Sequence, residues 1–295
     1  MSIFRGLSAF PITPCDAKGA LLAGDLQRLL APLNKADVQS IGLLGSTGTY
    51  AYLPRDLRRY AVRIARQAVT NTPLIVGVGA LRTDDAVALA HDAREEGADG
   101  LLLAPVSYTP LFDDEVFEHF KAVSEAGRLP LCIYNNPGTT HFGFSTKLLA
   151  RLAELPYVTA VKMPLPADIS DIAALRAILP ANFVLGHSGD WGCPDCILAG
   201  SEAWFSVIAG YLPRETAALA RAAERRNHAE VARINAHFQP LWDLFQSWGS
   251  LRVIYAAAQI EGRSNAVLPR PLLPLSNDLH AQIQEALNSA RAIPA

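Results

Sequence analysis

The sequence predicts an α/β protein of the (β/α)8 class, a TIM barrel, with a C-terminal helical extension. Three observations predict it. Eight short apolar runs recur before residue 209, a stretch with helical spacing follows each of them, and no Gly-x-Gly-x-x-Gly turn follows the first. Runs that are apolar on both faces suit parallel strands covered on both sides. Eight such units in series fit a closed barrel better than a doubly wound sheet, which usually has fewer strands and a glycine-rich first turn.

The runs are GLSAFPIT (6–13), SIGLLG (40–45), PLIVGVG (73–79), GLLLAP (100–105), LPLCIYN (129–135), VTAVKM (158–163), FVLGHS (183–188) and AWFSVI (203–208). The segment DDAVALAHDAREEGADG illustrates the helices between them. Ala86, Val87, Leu89, Ala90 and Ala93 form its apolar stripe, and Gly97 supplies a stop. From Pro213 onward the strand signals cease and four helices are expected, at 213–226, 228–247, 249–261 and 279–292, with a proline-rich connector at 267–276. The expected division is a barrel over 1–225 and a helical extension over 226–295. No low-complexity linker separates the two, so the extension should pack on the barrel.

Composition narrows the function. The chain has 295 residues, of which 50% are hydrophobic and 18% charged, enough to bury a large core. The formal charge is -2, and the arginines are scattered apart from Arg55, Arg58, Arg59 and the pair Arg225, Arg226. No basic stripe points to nucleic acid. The N-terminus lacks an apolar leader pattern, and no apolar run reaches the ~18 residues that a membrane span needs. A cytoplasmic protein is expected. Cys15, Cys132, Cys193 and Cys196 are too few for a disulfide scaffold and should be reduced thiols. The Cys193-x-x-Cys196 spacing has no second pair and no thioredoxin-like surroundings, so a structural role is expected.

In barrels of this class the chemistry sits at the C-terminal ends of the strands. There the sequence gathers GSTGTY after the second run, APVSYTP after the fourth, IYNNPGTT after the fifth, VKMP after the sixth and GHSGDWGC after the seventh. Hydroxyls, amides and one lysine converge, but only His187 and Asp190 make a close pair of metal-ligand types. A metal-dependent hydrolase using them and the cysteines is therefore disfavoured.

Lys162 follows Val158, Thr159, Ala160 and Val161, whereas the other four lysines have polar or helix-like neighbours. A lysine at a strand end commonly snorkels or pairs with a carboxylate. Strand alternation gives another reading. Val158, Ala160 and Lys162 should share one face, as should Cys132 and Tyr134 on the preceding strand. A desolvated amine favours its neutral form and can attack a ketone to form a Schiff base, with a tyrosine moving protons beside it. GSTG (45–48) reads either as a simple strand-to-helix turn or as a cradle whose N–H groups and hydroxyls hold a carboxylate.

FPIT (10–13), GSTG (45–48), YNNP (134–137) and Val161-Lys162, in this order and spacing, closely resemble the dihydrodipicolinate synthase/N-acetylneuraminate lyase family of class I aldolases. The resemblance spans essentially the whole chain. It implies a (β/α)8 barrel, commonly a homotetramer and otherwise a homodimer, that binds pyruvate or another 2-oxo acid as an imine and needs no cofactor or metal. By motif, Lys162 resembles the Schiff-base lysine and Tyr134 the proton-relaying tyrosine. Ser46 and Thr47 resemble the carboxylate binders, with Ser46 also in the hydroxyl relay. Gly48, Thr139, Gly186 and Phe205 are further candidate substrate-binding positions. A second relay tyrosine is matched by Tyr108 if the loop holds one extra residue, and by Ser107 if it does not.

The departures bear on the substrate. Thr49 stands where the family usually has glutamate. Thr139 stands where dihydrodipicolinate synthases place an arginine that holds the second substrate's carboxylate, which argues against that activity. Pro164 and Pro166 stiffen the segment after the lysine and remove two amide donors, implying a less polar distal pocket. His187, Asp190 and Trp191 are further pocket candidates. The expected activity is aldol condensation or cleavage through a Lys162 imine. The alternatives are dehydration or decarboxylation of a keto-deoxy acid by the same chemistry, and an idle paralogue that binds a 2-oxo acid.

Overall fold

The computed structural model describes residues 2–293. Its eight strands all fall inside the eight apolar runs: β1 (Gly6–Ala9), β2 (Ser40–Leu43), β3 (Leu74–Gly77), β4 (Gly100–Leu103), β5 (Leu131–Tyr134), β6 (Val158–Met163), β7 (Val184–His187) and β8 (Ala203–Ser206). All neighbours pair in parallel, and β8 returns to β1 to close the barrel. Between and after the strands lie α1 (Ala23–Leu30), α2 (Arg55–Ala68), α3 (Thr83–Glu95), α4 (Asp113–Gly127), α5 (Pro137–Thr140), α6 (Thr146–Leu152), α7 (Asp171–Ile178) and α8 (Cys193–Leu198). Closure leaves no sheet edge exposed.

The strands are apolar on both faces because each face meets its own core. Ile75, Leu102, Cys132, Ala160, Val184 and Phe205 pack inside the barrel. Their neighbours Leu74, Val76, Leu101, Leu103, Val161 and Leu185 pack outward against the helices. One detail departs from strict alternation. Leu131 pairs with Val158 but Cys132 with Ala160, so β6 carries one extra residue there. This irregularity turns Val158 into the outer core while Ala160 stays inside, so Val158 does not share the face of Lys162 as expected.

The arginines clustered on α2 have structural partners. Arg55 and Arg59 of α2 reach Asp92 of α3, Arg59 and Arg63 reach Glu96, and Arg58 turns inward to donate to the carbonyls of Gly77 and Gly79. After β8 come α9 (Pro213–Glu224), α10 (His228–Trp248), α11 (Ser250–Ile260) and α12 (His280–Arg291), each within one or two residues of its expected bounds. Hydrogen bonds tie this tail to early barrel segments and the segment after β8; among them, Ser264 Oγ donates to Asp25, Val267 N–H to the Cys15 carbonyl and Tyr211 Oη to the Ala257 carbonyl. Phe238 and Trp242, one turn apart on the buried face of α10, stack with ring centroids 5.0 Å apart. The packed tail brings the start of α11 to the mouth of the barrel. Among the described residues, no helix is long and apolar enough to cross a membrane.

Candidate active site

A cavity of about 580 Å³ opens at the C-terminal ends of the strands. Its position follows from topology, because every strand of a parallel barrel presents its C-terminal end to the same rim. Tyr134, the last residue of β5, pairs in register with Lys162 of β6, and Lys162 pairs with Gly186 of β7. Both side chains line the cavity. Lys162 is 6% exposed, and three aromatic rings face its Nζ: Tyr134 at 4.0 Å to the centroid, Phe10 at 4.8 Å and Phe205 at 6.0 Å. No carboxylate pairs with this amine among the described residues.

The aromatic floor exists because glycines make room for it. A Cβ on Gly42 would lie 2.2 Å from the Phe10 ring, and one on Gly186 would lie 2.5 Å from Phe205. Gly186 therefore supports Phe205 from below and is not itself among the lining residues. Phe10 and Phe205 then meet edge to face with centroids 6.1 Å apart.

Above this floor lies a hydroxyl chain. Tyr134 Oη is 2.9 Å from Ser46 Oγ, and the Asn136 side-chain amide donates to the same phenolic oxygen at 2.9 Å. Ser46 and Thr47 both line the cavity. The N–H groups of Ser46, Thr47 and Gly48 take part in no hydrogen bond among the described residues, which leaves them available to an anion. Gly48 itself is required by packing, since a Cβ there would meet Thr13 Oγ1 at 2.8 Å and the Leu44 backbone at 3.0 Å.

The distal wall is more apolar. Pro164, Leu165, Trp191, Val207 and Leu251 form it, with Thr139, Ser188 and Ser250 as its neutral polar members. Pro166 is not among the lining residues; the wall after the lysine is completed by Leu165, which lies over Gly189 and Gly192. Among the described residues, Lys162 is the single cationic side chain of the lining.

Other expected residues are placed elsewhere or have structural duties. Tyr108 is 97% exposed, and Ser107 Oγ donates to the Thr109 carbonyl; neither is among the cavity lining of the single chain. Asp190 does reach the lining, but its oxygens accept from Trp204 Nε1 and Ile208 N–H, both at 2.9 Å, which pins the β7 loop to β8. Burial pushes its carboxyl up, against those two donors. His187 is turned to Ser201, with Nδ1 2.9 Å from Oγ, and burial depresses its pKa to about 4. His187 and Asp190 thus serve separate partners, and among the described residues no three metal-ligand types come together. Cys193 and Cys196 are free and buried; burial pushes both thiols up, that of Cys196 to about 12. That is the behaviour of packed thiols rather than reactive ones.

The sequence signals missed Asn136, Leu165 and the residues Ser250 and Leu251. Asn136 stands inside YNNP, where nothing in the sequence shows that its side chain turns to the tyrosine hydroxyl. Ser250 and Leu251 come from the tail, and no local pattern shows that α11 reaches the rim.

The dihydrodipicolinate synthetase family model matches residues 3–290. The chain belongs to that family. The 4-hydroxy-tetrahydrodipicolinate synthase of Pseudomonas putida (strain W619) is 30% identical over 284 residues, covering 95% of this chain and 96% of that protein. A crystal structure of dihydrodipicolinate synthase from Agrobacterium tumefaciens str. C58 is 52% identical, covers 98% of each chain and superposes with a TM-score of 0.96. A dihydrodipicolinate synthase from Acinetobacter baumannii, solved with pyruvate, is 25% identical with a TM-score of 0.90 over 98% of this chain and all of that one. The chain is accordingly a lyase of this family with a (β/α)8 fold.

Proposed function

We propose that this lyase binds pyruvate or a related small 2-oxo acid as an imine on Lys162 and joins it to, or releases from it, an aldehyde without a carboxylate. The observation that carries this reading is the cross-strand pair of Tyr134 and Lys162, with the amine buried among aromatic rings and a hydroxyl chain beside it. Such an amine has no salt-bridge partner to satisfy and lies where a small ketone can reach it. The Acinetobacter relative binds pyruvate, which supports the choice of oxo acid.

The Ser46 and Thr47 hydroxyls and the free N–H groups of their loop receive the oxo acid's carboxylate. The Lys162 nitrogen lone pair then adds to C2, forming a C–N bond, and Tyr134 delivers a proton to the former carbonyl oxygen. The resulting carbinolamine loses water to give the protonated imine. Loss of a proton from C3 leaves an enamine, whose carbon attacks the aldehyde to form a C–C bond while the aldehyde oxygen takes up a proton. Water finally hydrolyses the imine, releasing the product and restoring the amine. Cleavage is the same sequence reversed. No step calls on a cofactor.

The absence of a second cation in the lining carries the substrate statement. An acceptor carboxylate beside Thr139 would meet a neutral hydroxyl and no cation among the described residues, whereas Leu165, Trp191 and Leu251 favour an apolar or aromatic distal group. Borohydride reduction in the presence of pyruvate should add a stable mass increment to the peptide that carries Lys162. Failure to trap any member of a broad 2-oxo acid panel overturns the reading.

A further inference from the structure

Asn136 makes one side-chain hydrogen bond that the imine scheme does not use. Its amide Nδ2 lies 2.9 Å from the Tyr134 phenolic oxygen, on the same oxygen that Ser46 approaches at 2.9 Å. The side chain lines the cavity, yet it holds no structural element in place. Asn136 caps α5 through its backbone carbonyl, which accepts from the N–H groups of Thr139 and Thr140 and from both of their hydroxyls. A different side chain leaves those bonds intact. The amide therefore has the tyrosine hydroxyl as its partner.

We propose that Asn136 is a positioning residue that sets the direction of the Tyr134 proton relay. A phenolic oxygen has one proton to give and two lone pairs with which to accept. An amide N–H occupies one lone pair and Ser46 O–H can occupy the other, which leaves the Tyr134 proton directed at the reacting oxygen. When Tyr134 gives up that proton, the phenolate keeps two donors, and charge-assisted hydrogen bonds of this kind are stronger than neutral ones. Without Asn136, the Tyr134 hydroxyl keeps Ser46 alone as its partner and can spend its proton on the serine. The residue speeds the proton step without touching the oxo acid. The inference rests on the imine reading above and concerns the rate at which the imine forms.

The test measures borohydride-trapped adduct against time at several pyruvate concentrations in four proteins: the native chain, Asn136→Leu, Tyr134→Phe and the double variant. Leucine keeps the size of asparagine and removes the donor. In the native background Asn136→Leu should lower the maximal trapping rate by on the order of 10- to 100-fold, the loss of a hydrogen bond to a charged group, and leave half-saturation by pyruvate unchanged. In the Tyr134→Phe background the same change should have little further effect, because the oxygen through which it acts is gone. An equal loss in both backgrounds, a rise in half-saturation alone, or an unchanged rate in Asn136→Leu overturns the proposal. The native control separates this from the parent reading: no adduct in the native chain removes both, whereas a native adduct with an unaffected Asn136→Leu removes this one only.

Discussion

Tyr134 and Ser46, 88 residues apart in the chain, meet at 2.9 Å on the rim of the barrel. One closes β5 and the other lies in the loop after β2, so their contact depends on barrel closure and not on any local motif. The tyrosine of this contact and Thr47, next to the serine, have separable duties in the proposed reaction. Tyr134→Phe should lower the maximal rate of imine formation by about 10²- to 10⁴-fold, the range for loss of a general acid–base group, with little change in half-saturation. Thr47→Val removes a carboxylate contact and should instead weaken pyruvate binding by roughly tenfold. Time-resolved trapping measures both, and the opposite pattern would refute the assignment of roles.

Lys162 is a buried amine with aromatic neighbours and no ion-pair partner, an arrangement that serves chemistry better than stability. Replacing a buried ionisable group with an apolar side chain of similar length is often neutral or stabilising. Lys162→Met should therefore abolish adduct formation while leaving the thermal midpoint equal to or above that of the native chain. A large fall in the midpoint would assign the lysine a structural role instead.

Gly42 and Gly186 hold no reactive group, yet they determine where Phe10 and Phe205 lie. A Cβ at either position would overlap an aromatic ring at 2.2 or 2.5 Å. Gly42→Ala and Gly186→Ala should each destabilise the fold by about 1–3 kcal/mol, the usual effect of overpacking, and slow trapping by shifting the ring beside the amine. Denaturant melts together with trapping rates test this. Loss of stability with unaltered trapping would confine the two glycines to the core.

The barrel was legible in the sequence because its strands are apolar on both faces and its helices carry a different period. Ile75 and Val76 illustrate this: neighbours in sequence, they serve opposite cores. Lys162 stood out because its apolar run offers no reason for a charge. The signals failed where one residue alters alternation or where distant segments meet. Thr159 shifts the register of β6, so Val158 leaves the face of Ala160 without any change in composition to mark it. Asn136 and Leu251 reach the cavity through a backbone turn and a packed tail helix, neither of which a linear motif encodes. Tyr108, which a motif match offers as a second relay position, is 97% exposed and lies outside the cavity lining of the single chain.

His119 and His187 set an acid limit on stability. Burial lowers both to about 4, below the ordinary 6.5, so the folded state holds them neutral while the unfolded chain takes up protons first. Their effect is absent above about pH 6.5, and destabilisation grows as pH falls toward 4, by at most about 3 kcal/mol for each. Glu261 adds to this at lower pH. Burial raises its pKa, but hydrogen bonds from Arg291 and Tyr211 outweigh that and hold it down to about 2, so its contribution is lost between about 4.5 and 2. Urea melts across pH 4–7 should show stability falling on the acid side, and His187→Gln should flatten that fall. An unchanged slope in the variant would contradict the assignment.

Thr139 offers the most direct control over substrate choice. It lines the cavity on the α5 turn, is exposed and donates its hydroxyl to the Asn136 carbonyl at 3.3 Å, so a longer side chain has solvent to pass through. Thr139→Arg would add a second cation to a lining whose one cation is Lys162, and a guanidinium can grip a carboxylate with two parallel hydrogen bonds. The variant should gain about tenfold or more in kcat/KM for an aldehyde that bears a carboxylate, relative to an uncharged aldehyde of the same length, because the carboxylate then finds a charged partner. Trapping of pyruvate on Lys162 should be unchanged, since in the proposed reaction the carboxylate of the oxo acid is assigned to Ser46 and Thr47 and not to position 139. If the native chain already prefers the charged aldehyde, the apolar distal pocket does not set the specificity. If the arginine alters pyruvate trapping instead, the two carboxylate positions are not independent. Preference switching with intact trapping is the expected result, measured by turnover with a matched pair of aldehydes in both proteins.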